Sequence, residues 1–341
     1  MELGQSSEIR TFERSARWRF DGRFAAVLIL FSTLPRVGAH RSIVRAERLT
    51  IFTILIAGFS LVAGCRASED LGRPPTDGSL RVNDSPQVGK RLRSTIIGTH
   101  FLVHPSLHVA IDDAIDTLRA KIRRHRRAGR FTAYISTPLS SRGGGYFDIN
   151  AEVAETVKRQ LERLYGRHLW ALNPATITLP AVDGHQPSGG EYMYFWTEIL
   201  AGEMGRGEDF DMIYFVGPSD FRRFFGDADS DRIEIVRRYM EERAKTDEAF
   251  RSEVTVNQER ARRFLLYYGL RASTTFSRGA YDEWNIVVRI NETRRSQHGL
   301  AEQLAVYFDG RALSPAEISV GTSHGYEQVV PVGEKSNRQR R

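Results

Sequence analysis

The chain has 341 residues, 41% hydrophobic and 27% charged, which are the proportions of a soluble globular protein and exclude a collagen-like or wholly disordered chain. Its formal charge of +7 divides into +4 over residues 1–64 and +3 over residues 65–341, too small an excess in the body of the chain to argue for a nucleic-acid partner. The single cysteine, Cys65, excludes an internal disulfide and any multi-cysteine metal site.

In chain order, Arg41, Arg45 and Arg48 precede an apolar run from Leu49 to Gly64 that ends at Cys65. A positive flank, a short apolar run and small residues before a cleavage point describe a secretory signal peptide, and the run is short for a membrane span. Leu61-Val62-Ala63-Gly64-Cys65 resembles the lipobox of bacterial lipoproteins. That resemblance implies acylation of Cys65 and a lipid-anchored protein on the periplasmic side of the cell envelope, cytoplasmic only if the run is not a signal. Residues 1–64 are then extension and signal, with residues 1–40 as surplus. Residues 65–98, rich in Gly, Pro, Ser and Asp near the start and without periodicity, read as a flexible tether.

His100, His104 and His108 recur every four residues, but Pro105 interrupts the helix that would align them, so no metal is expected. Leu107, Ile111, Ile115, Leu118 and Ile122 have helical spacing, and the helix ends in the basic run Lys121–Arg127. The bland reading of that run is a solvated helix end whose cations suit the dipole; an anionic membrane surface or a nucleic acid is the sharper one.

Strands then alternate with helices. Strands are predicted at 131–136, 169–174, 211–216, 270–276 and 304–308, and helices at 149–165, 191–201 and 282–295. Two charged helical stretches, about 230–245 and 247–267, read as an insertion covering about 219–268 of an α/β domain at 99–332. The basic tail 333–341 is expected to be disordered. This alternation predicts an α/β fold: a doubly wound, mostly parallel five-stranded sheet, flavodoxin- or Rossmann-like. Ligands bind such sheets at the carboxyl ends of the strands, where polar, Gly-containing loops fall at 137–146, 217–220 and 277–283. The stretch Ser277–Glu283 has two readings of its own: a capped helix start, with Ser277 as the cap, or an anion pocket with a carboxylate at its edge.

Taken together, Tyr134-Ile-Ser-Thr-Pro138, Ser141-Arg142-Gly143-Gly144, Asn173-Pro174-Ala175 and the Ser277/Gly279/Glu283 element resemble the nucleoside 2-deoxyribosyltransferase-like superfamily, over roughly residues 131–310. The resemblance implies cleavage of an N-glycosidic bond in a nucleotide or deoxynucleoside. In it Glu283 is the nucleophile and Tyr134 orients Glu283 or the sugar. Arg142, Gly143, Ser277 and Gly279 hold a 5′-phosphate. The acidic ribose-binding residue has Glu191, Asp209 and Asp211 as candidates, with Asp211 preferred. It implies no cofactor and no metal, and family members often complete their sites across a homodimer. The other class of function is a non-catalytic envelope lipoprotein that binds a ligand or a partner.

Overall fold

A computed structural model of the protein describes residues 89–139, 142–226, 231–298 and 303–329. The apolar run at 49–64, Cys65, most of the expected tether and the basic tail from Gly333 lie outside these residues. Among the described residues no helix is long and apolar enough to cross a membrane.

A hairpin opens the fold. Strand β1 (Arg91–Ser94) pairs antiparallel with β2 (His100–Val103), so the end of the expected tether is structured. Four residues are too few for an alternation to be read, and the hairpin is fixed instead by Phe101 and Val103, both fully buried. Helix α1 (His108–Arg127) follows and buries Ile111, Ile115, Leu118 and Ile122 on one stripe.

The central sheet is built from β3 (Phe131–Ser136), β4 (Leu169–Leu172), β5 (Met212–Phe215), β6 (Ala305–Phe308) and the two-residue β7 (Arg311–Ala312). Its order is β4-β3-β5-β6-β7; the first four strands are parallel and β7 turns back antiparallel on β6. Helix α2 (Phe147–Tyr165) joins β3 to β4 on one side, and α3 (Gly189–Ala201) joins β4 to β5 on the other, so the chain reverses direction between β3 and β5.

Alternate residues of each strand feed two different cores. Tyr134, Trp170, Leu172, Ile213, Phe215 and Val306 pack with α1, α3 and α8 (Arg278–His298). Ala133, Ile135, Leu169, Ala171, Met212 and Tyr214 pack on the opposite face with α2 and with α4 (Pro218–Phe225), α5 (Arg232–Thr246), α6 (Glu248–Val254) and α7 (Gln258–Leu266). The helices of the expected insertion therefore form much of the second core, through Phe221, Val236, Met240, Phe250 and Phe264.

One predicted strand is absent. Residues 270–276 fold as a π-turn over Tyr267–Arg271 and a 3₁₀ turn over Thr274–Phe276. Tyr267, Tyr268 and Ala272 are buried in the second core and continue the spacing of Phe264, which holds the segment helical. Ser273 caps the next turn by accepting the Thr275 N–H, and Thr274 donates to the carbonyl of Val216 through both its amide and its hydroxyl. The segment is tacked onto the end of β5, and the edge of β5 is taken by β6. The sheet still has five strands, with β7 as the fifth. A short helix α9 (Pro315–Ile318) precedes a C-terminal strap that runs back over α8.

Candidate functional site

Helix α8 begins at Arg278, four residues earlier than predicted, so Glu283 lies in the second turn rather than the first. Ser277 caps the start: its hydroxyl accepts the Ala280 N–H at 3.4 Å and its carbonyl the Tyr281 N–H at 3.1 Å. The capped-start reading describes Ser277, but Glu283 is turned away from the helix terminus and toward the sheet.

There it meets two side chains from the carboxyl end of β3. The Tyr134 hydroxyl donates to one carboxylate oxygen of Glu283 at 2.6 Å, and the Ser136 hydroxyl donates to the other at 2.5 Å. Tyr134 and Ser136 are two residues apart on a strand and so share a face, which lets one carboxylate engage both. Both are fully buried and Glu283 is 6% exposed. Trp196 of α3, 5.5 Å from the Tyr134 ring, and Phe210, 5.9 Å away edge-on, fix that ring in place.

Burial pushes the Glu283 carboxyl up to about 7; the hydrogen bonds from Ser136 and Tyr134 pull it down, and the charge of Asp282 pushes it up again. Burial and the neighbouring Glu283 charge hold the Tyr134 hydroxyl well above its ordinary value, so it remains a donor. The arrangement is a buried carboxyl group that has both protonation states near neutral pH, with two hydroxyls to orient it. It also lies at the carboxyl end of the strand beside the β3/β5 reversal, where ligands bind in open α/β sheets. Beside it, the hydroxyl of Thr137 is buried with no hydrogen-bond partner.

Asp282, adjacent in sequence, faces the opposite way. Its carboxylate accepts the backbone N–H groups of Gly325 (2.7 Å), Tyr326 (2.6 Å) and Glu327 (3.3 Å). Burial raises this carboxyl while those amides lower it. Arg278 donates to the Gly325 carbonyl and stacks on the Tyr326 ring at 4.5 Å; Asn285 accepts the Thr322 N–H and Arg289 pairs with Glu327 at 2.7 Å. The strap thus holds the outer side of α8 while Glu283 holds the inner side.

The other predicted residues divide. Gly279 packs against α3, where a Cβ would lie 3.4 Å from the Met193 sulfur. Gly143, at a φ of +74°, lies beside Tyr267 of the π-turn, and Gly144 presses against the Arg263 carbonyl of α7. The Gly-rich loop after β3 is therefore pinned by the inserted helices; the Arg142 side chain lies outside the described residues. Asp211 does not join the group. It sits at the amino end of β5, where its carboxylate accepts the Thr132 N–H at 2.8 Å and pairs with Arg126 at 2.8 Å, joining β3, β5 and α1 at the far end of the sheet.

The other two acidic candidates are also engaged elsewhere. Glu191 is fully buried; burial raises its carboxyl, but the Ser188 hydroxyl, Lys90 and the His104 N–H bring it below the ordinary range. Asp209 is buried, which raises its carboxyl, and its carbonyl accepts the Thr132 hydroxyl at 2.6 Å. Ser136 had no role in the sequence reading. Its position two residues after Tyr134 in a strand was the available signal.

No protein-family model matches the chain, and neither does any curated protein or solved structure.

Proposed function

We propose that the protein cleaves or transfers across an N-glycosidic bond of a nucleotide or deoxynucleoside, with Glu283 as nucleophile, as a nucleoside 2-deoxyribosyltransferase-like protein with a doubly wound, flavodoxin- or Rossmann-like sheet. The observation that carries this reading is the buried Glu283 carboxylate held by the Tyr134 and Ser136 hydroxyls at the carboxyl end of β3. The ionised carboxylate attacks the anomeric carbon as the base departs through an oxocarbenium-like transition state, forming a glycosyl ester. Water then resolves the ester in hydrolysis, or a second base in transfer. Tyr134 and Ser136 orient the carboxylate. The phosphate role of Arg142, Gly143, Ser277 and Gly279 rests on the family resemblance. The chemistry calls for no cofactor. Acylation of Cys65 would anchor the protein at the periplasmic side of the envelope, and a homodimer belongs to the same reading.

The test is nucleobase release from a panel of nucleotides and deoxynucleosides by the protein and by Glu283→Gln. Release should rise with pH through about 7 as Glu283 ionises, and the variant should lose at least about a thousandfold in kcat. Full activity in the variant, or no release by the folded protein from any substrate, would sink the enzyme reading.

One arrangement favours the non-catalytic alternative. Glu283 is 6% exposed with both oxygens satisfied, and the Gly-rich loop is pinned by α7 and the π-turn. A protein that binds nucleotides tightly, releases no base and is unaffected by Glu283→Gln would be the ligand-binding lipoprotein.

A further inference from the structure

At the end of the sheet opposite Glu283, helices α1 and α2 finish and feed β3 and β4, whose first residues, Phe131 and Leu169, are paired. The two helix ends therefore reach the same rim of the sheet, one from each of its faces. Lys121, Arg124, Arg127 and Arg130 come from the α1 side and Arg163 and Arg167 from the α2 side, all exposed. None of the six makes an ion pair with a carboxylate among the described residues. By contrast, Arg123 pairs with Glu203 and Arg126 with Asp211. Glu162, on the α2 side, accepts the Ala171 N–H at 3.2 Å.

The end of α1 is joined to β4 by aromatic contacts: His125 stacks on Trp170 at 4.3 Å, and Lys121 lies over the same ring at 5.8 Å. Burial and the charges of Arg130, Lys121 and Arg124 push the His125 imidazole below its ordinary range, against the opposing charge of Glu162. Within this field two apolar side chains project into solvent: Phe131, 62% exposed, and Leu164, 70% exposed.

We propose that this end of the sheet is a membrane-docking face, on which the six cations meet anionic phospholipid headgroups while Phe131 and Leu164 enter the acyl boundary. Cations alone fit any polyanion. An exposed Leu and Phe among them offer nothing to a phosphodiester backbone by way of hydrogen bonds, but they gain from an interface with hydrocarbon beneath it. On the reading that acylated Cys65 holds the chain at a bilayer, a basic face adds a charge-dependent contact of the domain itself. The 23 residues between Cys65 and Gly89 can span roughly 75 Å, enough for the domain to present this face. The inference is independent of any role for Glu283.

The test uses the full chain, sedimented with neutral phosphatidylcholine vesicles and with vesicles containing about 30% phosphatidylglycerol, at about 50 and about 300 mM salt. Any partitioning of the uncleaved apolar run is common to both vesicles, so the preference for the anionic ones reads charge. That preference should be at least about tenfold at low salt and fall at high salt. Each cation contributes about fivefold, so Arg124→Glu, Arg127→Glu and Arg130→Glu together should abolish the preference. Phe131→Ser with Leu164→Ser should weaken anionic-vesicle binding severalfold at both salts. If the triple variant fails to fold by circular dichroism, Lys121→Gln with Arg167→Gln replaces it, with a loss of at least about tenfold.

The proposal is overturned if wild type shows no preference. It is equally overturned if a folded charge variant keeps the preference, which would place it in the arginines before Leu49. Displacement of the protein by single-stranded DNA, with the Phe131/Leu164 variant indistinguishable from wild type, would mean that the face reads a nucleic acid instead.

Discussion

Glu283 sets a pH dependence that reaches beyond chemistry. Its carboxyl titrates near 4.5 in an unfolded chain and about 7 in the folded one, so the folded state holds the proton more tightly. The stability this provides is complete below about pH 4.5 and is lost as the pH rises through about 7, by roughly 3 kcal/mol in all. Asp282, also raised by burial, adds in the same direction. In Glu283→Gln the Glu283 contribution to this slope disappears. Urea midpoints at pH 5 and pH 8 should therefore converge in the variant relative to wild type, and an unchanged difference would contradict the burial of this group. At this scale the sequence was partly legible. The family resemblance pairs Tyr134 with Glu283, 149 positions apart, and their side chains do meet. Asp211 was misplaced because an acid at the start of a strand and one at its end look alike until the direction of the strand relative to the site is known.

Among the elements, those with clear apolar runs were readable, and α1, α2, α3 and all four parallel strands fell within a few residues of expectation. The failure at 270–276 has a physical cause. Ala272, Ser273, Thr274 and Thr275 offer β-branched and small residues that suit a strand locally, while Tyr267 and Tyr268 demand burial on the helical spacing of Phe264. Tertiary packing decided the outcome. The same contact between the insertion and the Gly-rich loop makes Gly144 a sensitive position. At its φ of +107° a Cβ would lie 2.2 Å from the Arg263 carbonyl oxygen, so Gly144→Ala must move either the loop or α7. We expect it to cost about 2–4 kcal/mol in urea unfolding, whereas Gly129→Ala, with open space around it at a φ of +74°, should cost only about 1 kcal/mol. Equal costs would mean that the loop is not held by the inserted helices.

For the described fold as a whole, the two cores lie on opposite faces of the sheet, and α8 links the sheet to much of the C-terminal strap. The strap was invisible in the sequence because it has no periodicity; its order comes from Asp282, Asn285 and Arg289, which recur along one side of α8. Gly325 fits because a Cβ there would lie 1.9 Å from the Arg278 carbonyl oxygen. A chain ended after Val320 should leave the buried Asp282 carboxylate without its three amides and lose about 3–5 kcal/mol in urea unfolding. Restoration of most of that loss by Asp282→Ala in the shortened chain would identify the orphaned charge as the cause; no restoration would assign it to lost packing.

That strap also imposes an order on synthesis. The helix bearing Glu283 is made some forty residues before the amides that satisfy its neighbour, so a ribosome-bound chain can assemble β3, β4 and β5 while the Asp282 carboxylate still lacks its partners. The site helix reaches its final state only when the strap that carries Gly325, Tyr326 and Glu327 has emerged. The fold around Glu283 is thus locked by a segment made after all of its central sheet.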